Sequence, residues 1–133
     1  MEIRFNYDDG GRSAAGYCLD EINDCTVRAL SLVSGIGYKA AHKVMATRAN
    51  RKPQHGAYMS NNIKKIQKDL PVRLKLVKTS GKVSTLIREY GEGNTILCTV
   101  RGHAFAIING AVHDMEEISG SKRVVNAWIV VPK

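Results

Sequence analysis

No run of about 18 apolar residues occurs in the 133-residue chain, which argues against a membrane-spanning helix. The opening residues, Met-Glu-Ile-Arg-Phe-Asn-Tyr, lack the basic-then-apolar layout of a secretory signal, so the expectation is an unsecreted, cytoplasmic protein with no membrane partner. Cysteine is scarce: Cys18, Cys25 and Cys98 are an odd number with no repeated spacing. That argues against a disulfide framework and a four-ligand zinc site, and it leaves at least one free thiol. No glycine-rich phosphate loop stands between a strand and a helix. Gly35-Ile36-Gly37 lacks the third glycine and follows a helix, so neither a nucleotide nor any other cofactor is expected. Internal repeats, low-complexity runs and dividing linkers are also missing, which leaves one domain over residues 1–133.

Acidic side chains are nearly missing from the middle of the chain. Residues 25–88 hold fourteen Lys and Arg against Asp69 alone, a balance of +13, while the remaining six basic and eleven acidic residues carry −5. The overall charge of +8 therefore hides a basic block that includes Lys39, Lys43, Arg48, Arg51, Lys52, Lys64, Lys65 and Lys68. Such a block is either a solvated face or a surface for nucleic acid or an acidic protein. An apolar content of 44% with 24% charged residues is ordinary for a soluble globular chain.

The most informative stretch is residues 23–35. Asn23 or Asp24 can cap a helix through a side-chain oxygen. Val27, Leu30 and Val33 recur at helical spacing, Ala29 and Leu32 widen the apolar stripe, and Gly35 is placed to end it. Cys25 falls in the first turn, where the positive end of the helix dipole favours thiolate over thiol.

Around it, alternation predicts a short strand over 2–7, and composition predicts a loop over 8–15. Helices are expected over 38–48, 60–70 (capped by Ser60 and closed by Pro71) and 80–90, with a strand over 72–77. The last third is rich in β-branched residues, with strands expected over 95–100, 104–108, 111–115 and 124–131. Helices followed by antiparallel strands make an α+β order: a helical N-terminal part packed on a C-terminal antiparallel sheet.

Asn109-Gly110 between two apolar runs is a strong hairpin signal, because both turn residues tolerate positive φ. Pairing Ile108 with Ala111 sets Phe105 opposite Asp114 and His103 opposite Glu116, with all four side chains on one face. A carboxylate can then fix the imidazole tautomer and stabilise the imidazolium, so that His103 can serve Cys25 as a base. His42 and His55 read as surface groups, His113 as structural and Trp128 as core.

The run Asp-Cys-Thr-Val-Arg-Ala-Leu-Ser, followed by Gly-His-Ala-Phe-Ala-Ile-Ile-Asn-Gly-Ala-Val-His-Asp, resembles the small papain-like cysteine peptidase fold, particularly compact phage-encoded members. The Cys-x-x-Arg-Ala-Leu run is also similar to ovarian-tumour-type deubiquitinases, without their Asp-Gly-Asn before the cysteine. The resemblance covers residues 23–35 and 102–114, roughly a fifth of the chain. It implies a hydrolase or acyl-transferase with Cys25 as nucleophile, His103 as base, Asp114 as orienting group and a protein or peptide substrate. If the chain is phage-encoded, it implies the host cytoplasm or the virion as location. Leu19 stands where the papain family has its oxyanion glutamine, so Asn23 is the candidate substitute donor; one such donor is worth about 3 kcal/mol. Val125-Asn126-Ala127-Trp128 resembles the papain Asn-Ser-Trp segment and makes Asn126 the alternative third member, although hairpin geometry favours Asp114. The same fold without its chemistry, acting as a basic binding module, is the competing expectation.

Overall fold

A computed structural model describes residues 3–16, 21–79 and 81–133. It is a mixed α and β structure built in the order β1 (Arg4–Tyr7), α1 (Cys25–Ser34), α2 (Tyr38–Arg48), α3 (Ile63–Gln67), β2 (Val72–Val77), α4 (Val83–Tyr90), β3 (Thr95–Val100), β4 (His103–Ile108), β5 (Ala111–Asp114) and β6 (Asn126–Pro132). Among the described residues, no helix is long and apolar enough to cross a membrane.

The six strands form one sheet in the order β1-β5-β4-β3-β6-β2. Every pairing is antiparallel except β1 with β5, which is parallel. The expected antiparallel C-terminal sheet is thus corrected to a mixed one. β1 and β2 supply its two edges, because the alternating runs near the N-terminus and after α3 find their backbone partners on β5 and β6. The hairpin register holds as expected, with Ile108 opposite Ala111 and Ile107 opposite Val112. Asn109 (φ 48) and Gly110 (φ 83) take the two left-handed positions that such a turn demands.

Period-two alternation divides the core between the faces of the sheet. Leu97, Ala106 and Trp128 point to α1, α2 and α3, while Ile96, Cys98, Phe105, Ile107 and Ala127 point to α4. Covering both faces explains why the central strands read as near-continuous apolar runs rather than clean alternation. The small Ala104 and Ala106 leave room for α1 to lie on β4, which brings the start of the helix beside the start of the strand. Val27 and Leu30 are fully buried in that seam, each contributing about 1.5–3 kcal/mol of burial.

The expected caps and several boundaries differ. Neither Asn23 nor Asp24 caps α1 with its side chain. The Asp24 carboxylate is taken instead by Arg12, Arg28 and Tyr38. The far end follows expectation, the Gly35 N–H bonding the Ser31 carbonyl. The helix expected over 60–70 shrinks to α3, since Ser60 is not its cap and the preceding Asn62 bonds the Tyr58 carbonyl in a turn that buries Met59. The helix expected from residue 80 begins at Val83, because Lys82 is extended and bridges to Arg123; Ser80 lies outside the described residues, as does Glu2 of the first strand. Gly10 (φ +68) lets the loop after β1 press on α1: a Cβ there would sit 2.8 Å from the Arg28 Cα.

Candidate active site

Cys25 is the first residue of α1 and His103 the first of β4, and the packing of that helix on that strand brings the two together. The His103 ring and the Ala104 N–H stand close enough to the Cys25 sulfur to favour its thiolate, and all three residues line the same cleft. On the other side of the ring, His103 Nε2 lies 2.5 Å from Asp114 Oδ2. With Nε2 held by the carboxylate, Nδ1 is the nitrogen that serves the thiol. Asp114 is 2% exposed and ends β5, where the hairpin register carries it next to β4. Glu116, opposite in the expected register, lies 3.7 Å from Nε2 and stays largely in solvent.

The electrostatics favour a charged pair. Burial pushes the Cys25 thiol up, but the His103 hydrogen bond, the Ala104 N–H and the positive charges of His103 and Arg28 outweigh it, so the thiol sits below its usual range. Burial disfavours the His103 imidazolium, but the hydrogen bonds to Asp114 and Cys25 outweigh it and raise the ring from 6.5 to about 9. Thiolate and imidazolium each favour the charged form of the other. Cys98 behaves oppositely: it is fully buried, and burial pushes its thiol up to about 12.

A cleft of about 570 Å³ opens over Cys25 and His103. One wall is the segment from Gly56 to Ser60 and the other is the β3–β4 turn with Arg101, so no carboxylate lines it among the described residues. Thr26 contributes to its floor with a buried hydroxyl that has no hydrogen-bond partner among the described residues. As α1 has no side-chain cap, no capping side chain among the described residues claims its first-turn N–H groups beside Cys25.

Several expected residues stand elsewhere. Asn23, the candidate oxyanion donor, gives its amide to the Gln54 carbonyl at 3.2 Å and does not line the cleft. Its positive φ of 53 turns it out of the helix path. Leu19, the position of the papain glutamine, and Cys18 lie outside the described residues. Asn126, the alternative third member, pairs through its backbone with Thr99, and the His103 nitrogen that it would orient is held by Asp114. His113 contacts Asp8 and Asn6 at the β1–β5 seam, and Trp128 lies in the core.

The basic block is not uniformly a surface. Lys39, Lys43, Lys52, Lys64, Lys65 and Lys68 are exposed, and Arg48 forms a fork with Asp69 at 2.7 and 3.0 Å. Arg51, expected on that surface, is 4% exposed and places two guanidinium nitrogens on the buried Glu21. His42, also expected at the surface, is half-buried with Nε2 2.6 Å from the same carboxylate. The Gln54 N–H donates to it as well, so a single acid ties the segment before α1 to the loop that becomes the cleft wall. Residues some thirty positions apart meet here, a pairing that no local spacing announces.

Arg28 is the residue beside the candidate site that the sequence alone leaves as one more positive charge. Standing three residues after Cys25, it shares that side of α1. Its Nη1 reaches Asp114 Oδ1 at 2.8 Å and its Nε reaches Asp24 Oδ1 at 3.1 Å. The ligand atoms of His103, Asp114 and Glu116 lie within 4.8 Å of one another and are the group among the described residues that could hold a metal ion. The Arg28 guanidinium on Asp114 opposes a dication there.

No family model, curated protein or solved structure matches the chain.

Proposed function

We propose that the chain is a papain-like cysteine hydrolase or acyl-transferase acting on a peptide, isopeptide or other amide, with Cys25, His103 and Asp114 as its triad. The observation that carries the reading is a cysteine and a histidine lining one open cleft, with the buried Asp114 carboxylate behind the imidazole, the thiol lowered and the imidazole raised. The thiolate attacks the carbonyl carbon, a C–S bond forms and the carbonyl π electrons move onto oxygen. Collapse of that adduct breaks the C–N bond while His103 gives its proton to the departing amine, leaving a thioester. Water, or an acceptor amine, then attacks the thioester as neutral His103 takes its proton. The C–S bond breaks and the thiolate–imidazolium pair is restored. Asp114 holds the ring through Nε2 and favours its cationic form throughout. The first-turn N–H groups of α1 are the donors within reach of a developing oxyanion, in place of Asn23.

The test is the rate of iodoacetamide labelling near pH 6, with the modified peptides mapped. Cys25 is expected to react well ahead of a free small-molecule thiol, while Cys98, buried and with its thiol raised, serves as the unreactive internal standard. A Cys25 rate no greater than that of the free thiol would sink the enzyme reading.

A second reading, a basic module that binds nucleic acid or an acidic protein, is favoured by one observation: Lys43, Arg48 and Lys133 all act on Asp69, so the exposed charges of α2, the segment after α3 and the C-terminus converge. Counterion release then predicts affinity that falls steeply with salt and survives Cys25→Ala. Failure to retard nucleic acid at low salt removes that partner.

A further inference from the structure

The helix that carries the nucleophile and the strand that carries the acid belong to different layers of the fold, and one side chain joins them next to the reacting groups. Arg28 lies on α1 and is mostly buried, with 12% of its side chain exposed. Its two anchors, Asp24 and Asp114, are 1% and 2% exposed. Asp24 is itself immobilised, by Arg12 at 3.1 Å and by the Tyr38 hydroxyl at 2.8 Å. On Asp114, Oδ1 receives the Arg28 Nη1 and the Met115 N–H, at 2.8 and 2.7 Å, while Oδ2 faces His103. The two oxygens are therefore not interchangeable: a rotation of the carboxylate that released His103 would also break both bonds on Oδ1.

We propose that Arg28 is the positioning residue of this site, its guanidinium clamping Asp114 from the Asp24 side so that one carboxylate oxygen is always presented to His103. This rests on the reading of Cys25 and His103 as the reacting pair. The planar fork matters, because it spans two carboxylates with fixed geometry, which an ammonium on a flexible stem does not. Burial works against the Arg28 cation, but Asp24 and Asp114 hold it, so the clamp keeps a positive charge against Asp114. It is different from an ordinary structural ion pair in that its loss is felt at the sulfur.

The experiment measures the pH dependence of Cys25 alkylation in the wild-type protein and in Arg28→Lys, Arg28→Gln and Asp24→Asn, each checked for native near-ultraviolet dichroism. The groups that face His103 in this profile are Cys25 from α1, Asp114 at the end of β5 and Glu116 beyond it, with Arg28 held on the other oxygen of Asp114. Arg28→Gln is expected to move the acid limb, where the thiolate forms, up by about one pH unit, a tenfold change in thiolate population there. Arg28→Lys, charged but without the fork, is expected to fall between it and the wild type, and Asp24→Asn to shift in the same direction. A folded Arg28→Gln with the wild-type profile overturns the proposal. Should that variant not fold, wild-type profiles in both Arg28→Lys and Asp24→Asn overturn it equally. The unaltered protein offers a further test, since nitrogen-15 NMR of the Arg28 guanidinium should show hindered rotation. A freely rotating guanidinium also overturns the proposal. A wild-type Cys25 no more reactive than a free thiol removes the underlying enzyme reading instead, so the two failures are told apart.

Discussion

Replacing Asp114 with Asn keeps the shape of the side chain and removes its charge. In the native protein His103 is raised from 6.5 to about 9 although burial works the other way, and the Asp114 hydrogen bond is the largest favourable cause, ahead of Cys25. A rise of that size corresponds to about 3 kcal/mol of preference for the imidazolium, of which Asp114 supplies the larger part. With the carboxylate gone, burial and the weaker Cys25 contact are left, and His103 is expected to titrate well below 9. The direction of the stability effect follows by linkage. A folded pKa above the unfolded one means that the pairing stabilises fully below pH 6.5 and is lost as pH rises through about 9. Asp114→Asn should therefore destabilise the protein most near pH 6 and least near pH 10, where the broken Arg28 contact is the main remaining cost. NMR titration of the His103 Cε1–H signal gives the first quantity, and urea unfolding at the two pH values gives the second. An Asp114→Asn protein whose His103 still titrates near 9, or whose stability loss is equal at both pH values, would refute the reasoning.

Two further outcomes follow from the same geometry. Glu21→Gln leaves the buried Arg51 without its counter-charge and should cost about 3–5 kcal/mol of unfolding free energy near pH 7. Because the Arg51 and His42 bonds overcome burial and hold Glu21 down at about 2 from its ordinary 4.5, that contribution is present above pH 4.5 and disappears only as pH falls through 2; a cost that is already absent at pH 4.5 would contradict it. Thr26→Val removes a buried hydroxyl with no partner among the described residues while keeping the shape, and should raise the unfolding free energy by about 1 kcal/mol. A lower melting temperature in Thr26→Val would show that the hydroxyl is bonded in solution.

What the sequence made legible was local. The 3.6-residue apolar stripe fixed α1 within two residues at its start, and Asn109-Gly110 fixed the β4–β5 register that carries Asp114 to His103. Long-range pairings were not legible. Nothing in residues 4–7 says that they run parallel to β5, since a short alternating strand fits either sense. Asp24 reads as a cap because capping is a local property, yet the arginines and the tyrosine that claim it come from the preceding loop, the next turn of α1 and the start of α2. Arg51 and His42 read as surface groups by residue type, and a buried Glu21 reverses both. Arg28 has a usable signal in its three-residue spacing from Cys25, which places a permanent cation one helical turn from the sulfur.

The most direct measurement is to mix the protein with an activated acyl ester, stop the reaction within the first turnover and map the acyl group by peptide mass spectrometry. The expected result is one acyl group per chain on the peptide containing Cys25, formed with a burst of leaving group, absent from Cys25→Ala and strongly slowed in His103→Ala. Acylation spread over the exposed lysines with Cys25 unmodified would contradict Cys25 as the nucleophile.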